Sequence, residues 1–472
     1  MWSFLECFIH EQFWQRLAVT EPNLEHFNAE RVARVAKKLS DADVRIVIGT
    51  FVDNAGILRA KQVPVAKIGS LNFPGVGASP TWAVFTIDDL VAMTPSFSVV
   101  GDIRLRADLD AIMILGGGIA WVPFESADQR GAPLDHCARA VLRRLQAACE
   151  GEGLEALAAF EIEFTCFDAG TGLVCGGPAY GVGPLLDRSK FLADVHDSFE
   201  ACGLEIEQVH AEYGLGQMEL TMAPASPLRA VDNYVLARVV LGRAAREHGL
   251  RLSFSPQPVL GGIGNGAHLH ISFRRDGEPL FSGGDGPYGL RDDGGTVIGG
   301  LVKWLPESMA VLAPSLLSST RLQPGKWSGA FACWGLENRE AALRFCEATP
   351  GNPYGANLEI KCLDHSVNPY AAVAMILGLS RRGIEEKIEL PNEVSMNPDT
   401  LSAEERTLRN IVPIGIDQAS NLDLFQSSSV AIDVLGAVLV EAIIGVRRHE
   451  VEIAKSKTVE VLVEQFRYTW SA

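Results

Sequence analysis

Glu161-Ile162-Glu163, Glu212 with Glu219, Gly266-Ala267-His268-Leu269-His270 and Asn357-Leu358-Glu359-Ile360-Lys361 lie far apart in the chain, yet they share one pattern. Polar and apolar residues alternate in each, so polar side chains one residue apart project from one face of a strand. Glu161 and Glu163 sit among Phe160, Ile162 and Phe164, which favours a central strand over the solvated edge that two such carboxylates usually mark. Gly214 and Gly216 allow the chain after Glu212 to return Glu219 close to it. Like charges gathered this way repel unless cations bridge them. Oxygen-rich ligands with an imidazole suit magnesium or manganese better than zinc. A basic group follows, with Arg321 and Lys326 in Arg-Leu-Gln-Pro-Gly-Lys-Trp, then Arg339 and Arg344. Arginine forks grip phosphates and carboxylates, although ordinary surface pairing would explain them too. Together these residues suggest a metal-dependent enzyme that handles phosphates.

Such residues need a scaffold, and 472 residues are enough for two or more domains. A composition of 47% hydrophobic and 21% charged residues is that of a globular protein. The 41 basic against 58 acidic residues give a formal charge of −17, which disfavours nucleic acid as a partner. Nine scattered cysteines without a Cys-x-x-Cys pair predict reduced thiols and a cytoplasmic location. The apolar start, Met1 to Glu11, lacks a basic leader and predicts an amphipathic helix rather than a signal peptide. The longest apolar stretch, Val430 to Val446, contains Asp433 and Glu441, so no membrane span is expected.

The patterning predicts a helix over 27–40, a hairpin of strands 44–52 and 57–63, and short extended pieces to about Phe124. The polar, turn-rich segment 125–133 suggests a boundary between a domain of residues 1–128 and one of residues 129–472. Beyond it, strands are expected at 158–167, 217–222 and 267–273, and helices at 230–247, 368–387 and 428–455. The glycine-rich piece 283–299 is expected to be a loop, and no Walker-type phosphate loop occurs.

In combined order these motifs resemble the glutamine synthetase superfamily along nearly the whole chain. The resemblance rests on Asp53-Asn-Ala-Gly56, Gly101-Asp102 with Asp108, Glu161-Ile-Glu163, and Glu212 through Gly216-Gln217-Met218-Glu219. It continues through Gly264-Asn-Gly-Ala-His268-Leu-His270, Glu337-Asn338-Arg339 with Arg344, Glu359, and Asn368-Pro369-Tyr370. It implies an α+β fold, with an N-terminal β-grasp domain before a catalytic domain built on an antiparallel sheet with flanking helices. It also implies closed homo-oligomeric rings, usually two stacked hexamers forming a dodecamer, with active sites shared between subunits. By the same resemblance, Glu163, Glu212 and Glu219 hold one metal, and Glu161, His268 and Glu359 a second, giving two or more Mg2+ or Mn2+ per site. His270, Arg339 and Arg344 match ATP-phosphate contacts, and Arg339 would stabilise the transferred phosphoryl group. Gly264, Asn265, Arg321 and Lys361 fall at the glutamate position. Asp53, from a neighbouring subunit, matches the acid that receives the nitrogen nucleophile.

Departures from the family pattern concern the acceptor. Six residues after Arg321, ammonia-using members carry a flap glutamate, and this chain has Trp327. An indole accepts no proton but can wall an organic amine, with Phe331 and Trp334 as further aromatic candidates. Lys361 and Asn357 stand where arginines are usual, and Ile263 replaces an asparagine for which Asn265 is the nearby substitute. Residues 392–409 contain no tyrosine, so control by nucleotidylation is not expected. The expected activity is ATP-dependent joining of the glutamate γ-carboxylate to an alkyl or aryl primary amine, through γ-glutamyl phosphate. The alternatives are glutamine synthesis from ammonia and a non-catalytic ring-forming relative.

Overall fold

Ile46–Val52 (β1) and Leu58–Pro64 (β2) form the expected hairpin, one or two residues later than the pattern predicts. Its turn, Asp53 to Gly56, is tight enough that a Cβ on Gly56 would stand 2.4 Å from the Ser366 carbonyl oxygen. This computed structural model describes residues 29–415 and 417–472, so the expectation of a helix over residues 1–11 lies outside the described residues.

The strands Val76–Ala78 (β3), Ile103–Ala107 (β4), Met113–Gly116 (β5) and Ile119–Ala127 (β6) complete the first sheet. Its order is β2-β1-β6-β4-β3, with β5 beside β6. Only β1 and β6 run parallel. The helix Ala29–Asp41 lays Val35 and Leu39 into a core with Leu71, Leu105, Val122 and Phe124. A mixed sheet gripping one helix is the expected β-grasp arrangement.

The second sheet is larger. Its strands are Leu154–Asp168 (β7), Ile206–Ala211 (β8), Gln217–Met222 (β9), Leu250–Ser253 (β10), Leu269–Arg275 (β11), Glu278–Pro279 (β12), Phe331–Leu336 (β13), Ala341–Cys346 (β14), Asn357–Ile360 (β15) and Val412–Pro413 (β16). They run in the order β16-β13-β14-β15-β11-β7-β9-β8, with β10 on β7 and β12 on β11. All pairs are antiparallel except β13 with β14. β7 is central, paired to β9 and to β11, and its apolar residues Phe160, Ile162 and Phe164 are fully buried. The helices Ala138–Gly151, Pro227–Glu247 and Pro369–Glu385 share that core.

Charge and chain ends join the two sheets. Arg139 is buried and binds Asp232 at 2.7 Å within its own domain, and Glu125 at 2.7 Å and Asp108 at 2.9 Å from the first. Tyr370 Oη donates to Asp232 at 2.8 Å. Asn368 caps its helix through Tyr370 N and donates from Nδ2 to Val52 O. Trp470 Nε1 donates to Ala55 O in the turn of the first hairpin.

Two expectations about elements require correction. Residues 283–299 are not all loop, because a helix spans Asp292–Trp304. Its glycines serve close packing rather than flexibility, since a Cβ on Gly300 would stand 2.7 Å from Gly383 Cα. Residues 428–455 are not one helix either. Gly436, at φ +85°, separates Ser429–Leu435 from Ala437–Ser456, and the two are bent by 114°. Among the described residues, no single helix is long and apolar enough to cross a membrane.

Candidate active site

Strand register brings the distant polar segments onto neighbouring strands. Glu163 on β7 faces Glu219 on β9, which in turn faces His210 on β8. On the other side, Glu161 N donates to His268 O, and His270 on β11 faces Glu359 on β15. Glu359 also faces Arg344 on β14. One sheet thus carries three rows of polar side chains across six strands.

Close approach of this side-chain line needs small residues at two places. A Cβ on Gly266 would lie 2.4 Å from His268 Nε2 and 2.5 Å from Arg321 Nη2. One on Gly264 would lie 2.2 Å from Pro256 O and 2.8 Å from the Arg321 side chain. The glycines before the two histidines therefore make room for the arginine that follows later in the chain.

The ligand atoms gather in three overlapping groups: Glu161 with His270 and Glu359, Glu161 with Glu219 and His268, and His210 with Glu212 and Glu219. Within each, the atoms lie within 4.8 Å of one another. His268 Nδ1 is 3.1 Å from Glu161 and 3.4 Å from Glu359. His210 Nε2 is 3.2 Å from Glu212 and 3.7 Å from Glu219.

All six expected metal ligands belong to this cluster, and the tightest groups of ligand atoms add His210 and His270 to them. Glu163 Oε2 accepts from Gly266 N at 2.5 Å and Gln217 Nε2 at 3.1 Å. His210 stands beside Glu212 and Glu219. Its spacing of two residues from Glu212 on a strand end is the same signal that singled out Glu161 and Glu163. His270 also stands nearer the acidic cluster than a phosphate contact alone requires, with Nε2 3.1 Å from Glu161 but not aligned for a hydrogen bond.

Electrostatics support a cation in this cluster. Burial, then the charges of Glu161, Glu163, Glu212 and Glu359, push the Glu219 carboxyl well above the ordinary range. Burial also opposes ionisation of Glu359, but Lys361, His268 and His270 outweigh it and hold this carboxyl at about 2. Lys361 Nζ is 2.9 Å from Glu359, and Arg344 Nη1 is 3.2 Å from it. A set of carboxylates at least one of which resists ionisation, joined by imidazoles, fits hard divalent cations.

A cavity of about 600 Å³ opens over this face. Arg321, Arg339, Arg344, Lys361, Gly264 and Trp327 line it together with the acidic cluster. Arg321 is buried at its floor. Its Nη1 donates to Cys362 O at 3.1 Å, and its Nη2 to Lys361 O at 2.9 Å, with His268 Nε2 3.1 Å away. The sequence missed Tyr180 and Tyr213, which are exposed at the mouth. Tyr180 stacks on His210 and donates to Glu212 at 3.1 Å. Trp327 completes an aromatic rim, 56% exposed and in the left-handed region at φ +53°.

Four expected residues are placed elsewhere. Asn265 is enclosed, with Nδ2 donating to Ser253 O and Ser255 O and Oδ1 accepting from Thr165 and Gln217. Its amide is fully used, so it braces the floor rather than meeting a substrate. Phe331 and Trp334 are core residues, and Trp334 Nε1 donates to Pro391 O. Asp53 is 0% exposed. Its Oδ1 accepts from Ala55 N and Ile57 N, and its Oδ2 from Arg59 Nε at 2.7 Å. Burial raises its pKa to about 6 even with Arg59 beside it. In this conformation the carboxylate holds its own turn and the Arg59 guanidinium.

Residues 135–466 match the family of the glutamine synthetase catalytic domain. A gamma-glutamylpolyamine synthetase, GlnA3, of Streptomyces coelicolor is 37% identical over 431 residues, covering 89% of this chain and 92% of that one. A glutamine synthetase of Methanosarcina mazei is 28% identical over 417 residues, covering 85% of this chain and 90% of its own. Among solved structures, a glutamine synthase homolog superposes with a TM-score of 0.82 at 29% identity, covering 90% of this chain and 98% of the other. A GmaS–ADP complex, at 24% identity, shares the fold with a TM-score of 0.79 over 91% of this chain and 98% of its own. The chain belongs to the glutamine synthetase family of ATP-dependent carbon–nitrogen ligases.

Proposed function

We propose that this ligase joins the γ-carboxylate of glutamate to an organic primary amine, giving a γ-glutamylamide, ADP and phosphate through γ-glutamyl phosphate. The observation that carries the reading is Trp327: the flap residue over the cavity is an indole, flanked at the mouth by Tyr180 and Tyr213. The flap position itself carries no carboxylate to draw in ammonium, whereas an aromatic rim favours an amine with apolar surface. An alkyl or aryl amine is the preferred acceptor. A polyamine is the second reading, favoured by the name of the relative from Streptomyces coelicolor.

In this reading Glu161, Glu163, Glu212, Glu219, His268 and Glu359, joined by His210, hold two or more Mg2+ or Mn2+. These ions would neutralise the triphosphate and polarise the transferred phosphoryl group. His270, Arg339 and Arg344 bind the phosphates, and Arg339 stabilises charge as the glutamate oxygen attacks. Arg321 and Lys361 orient the amino acid, with Gly264 leaving space for its backbone end. Trp327 closes over the cavity and excludes water that would hydrolyse the acyl phosphate. The assembly proposed is a ring of two hexamers, which the mass of the particle in solution tests.

Phosphate release with glutamate and ATP across a panel of ammonium, alkylamines, arylamines and polyamines tests the acceptor. An organic amine should give the highest kcat/KM, and ammonium as the best nucleophile would overturn the proposal. Trp327→Glu should raise ammonium use and lower kcat/KM for the bulky amine by about 10-fold or more, the scale of lost apolar contact in a specificity pocket. An unchanged ratio of the two would remove Trp327 from the account.

A further inference from the structure

Trp327 holds a backbone conformation that costs a non-glycine residue roughly 1–2 kcal/mol, so something must keep it there. Among the described residues, one side chain bonds to its amide: Glu340 Oε1 accepts from Trp327 N at 3.0 Å. Glu340 is 4% exposed, and its Oε2 is buried without a partner.

The carboxyl has a rigid base. Glu340 N donates to Asn338 Oδ1, and Asn338 Nδ2 donates to Val394 O and Met396 O. The short connection between β13 and β14 therefore turns Arg339 into the cavity and the next residue under the flap. Two sides of the site hang on four consecutive residues. A carboxylate buried where ordinary packing would place an apolar group, and bonded to the flap amide of Trp327, has a positional task.

We infer that Glu340 is a specificity-determining positioning residue, which fixes Trp327 over the amine end of the cavity by accepting the amide hydrogen of Trp327. This rests on the amine-ligase reading given above. Glu340 does not touch the reacting atoms. Its removal frees the flap backbone, and the indole then loses its place against the amine, while the metal cluster and Arg339 keep theirs.

The test compares Glu340→Ala with Glu340→Gln in the full-length protein, using the best amine of the panel. Glu340→Ala should raise the KM for that amine about tenfold, the scale of hydrogen bonds to a charged acceptor, and leave the KM values for ATP and glutamate within about twofold. Glu340→Gln keeps an acceptor oxygen for the same amide and should restore the amine KM. Equal rises in all three KM values, or no rescue by glutamine, would overturn the inference. Tryptophan emission supplies a readout independent of activity. Glu340→Ala should shift it, and the shift should vanish in a Trp327→Phe background; a shift that persists there, or none at all, would also overturn it. Wild-type protein that forms no γ-glutamyl product with any amine would instead refute the amine-ligase reading, while the emission experiment still reports on the flap.

Discussion

Glu219→Gln should abolish ligation and at the same time make the metal-free protein more stable. The first effect follows from position: Glu219 belongs to two of the three ligand groups. Loss of an outer-shell partner alone costs about 10–100-fold in metal affinity or activity, so loss of a shared inner ligand should lower kcat by at least about 100-fold. The second effect follows from repulsion. Burial and four neighbouring carboxylates raise the folded-state pKa of Glu219 above its ordinary value of 4.5. Folding therefore favours the protonated form, and the metal-free protein loses stability as pH rises from about that value through the folded pKa. A glutamine has no proton to lose, so the metal-free variant should melt higher than wild type at pH 7.5 and show a flatter dependence above pH 5. Added Mg2+ or Mn2+ should raise the melting temperature of wild type more than that of the variant. A metal-free variant that melts lower, with an undiminished metal shift, would show that Glu219 is not a cation ligand.

The largest expected loss of stability belongs to Arg139→Met. Arg139 is 2% exposed and faces Asp232, Asp108 and Glu125 at once. Removing one member of a buried ion cluster leaves the others uncompensated and costs about 3–5 kcal/mol. Because Glu125 comes from the first sheet and Asp108 directly follows its strand β4, the loss should also uncouple the two sheets, so that unfolding of the variant spreads over a broader or split transition than that of wild type. Burial disfavours the charge on Asp108, but Arg139 and Arg143 overcome it and hold its pKa at about 2. A depressed carboxyl stabilises the fold above its ordinary value of 3.8, and that stabilisation is lost as pH falls towards about 2. Wild type should therefore lose stability across this window, and the variant should lose less. Asp232→Asn in the Arg139→Met background should recover part of the deficit; denaturant melts within about 1 kcal/mol of wild type for the single variant would disprove the role of the cluster.

What the sequence revealed depended on how local the signal was. Alternation around Glu161, His270 and Glu359 was enough to place them on strands, because a strand's period is set by its own residues. Partnership was not legible that way. The approach of His210 to Glu212 and Glu219, and the hydrogen bond from Gly266 N to Glu163, depend on register between strands distant in sequence. Glycine misled at 283–299, where a helix needs small residues to lie against another helix, a demand that exists only in the packed molecule. Asp53, Asn265, Phe331 and Trp334 are polar or aromatic residues of suitable type in suitable motifs. Burial decides their roles, and burial belongs to the whole chain. Trp327 was singled out by identity, but its left-handed backbone and its tether to Glu340 are properties of the folded flap.

The position of β7 between β9 and β11 has a consequence for how this architecture diversifies. Of the candidate cation ligands, Glu161, Glu163, Glu219, His270 and Glu359 are fixed by ladder hydrogen bonds within one sheet, whose geometry tolerates little variation. Tyr180, Tyr213 and Trp327 instead stand outside the named strands, in segments whose length and residues can change without shifting that register. On the proposed function, phosphoryl transfer and acceptor choice are therefore physically separable traits: mutation can explore new nucleophiles at the rim while the sheet preserves the costly half of the reaction.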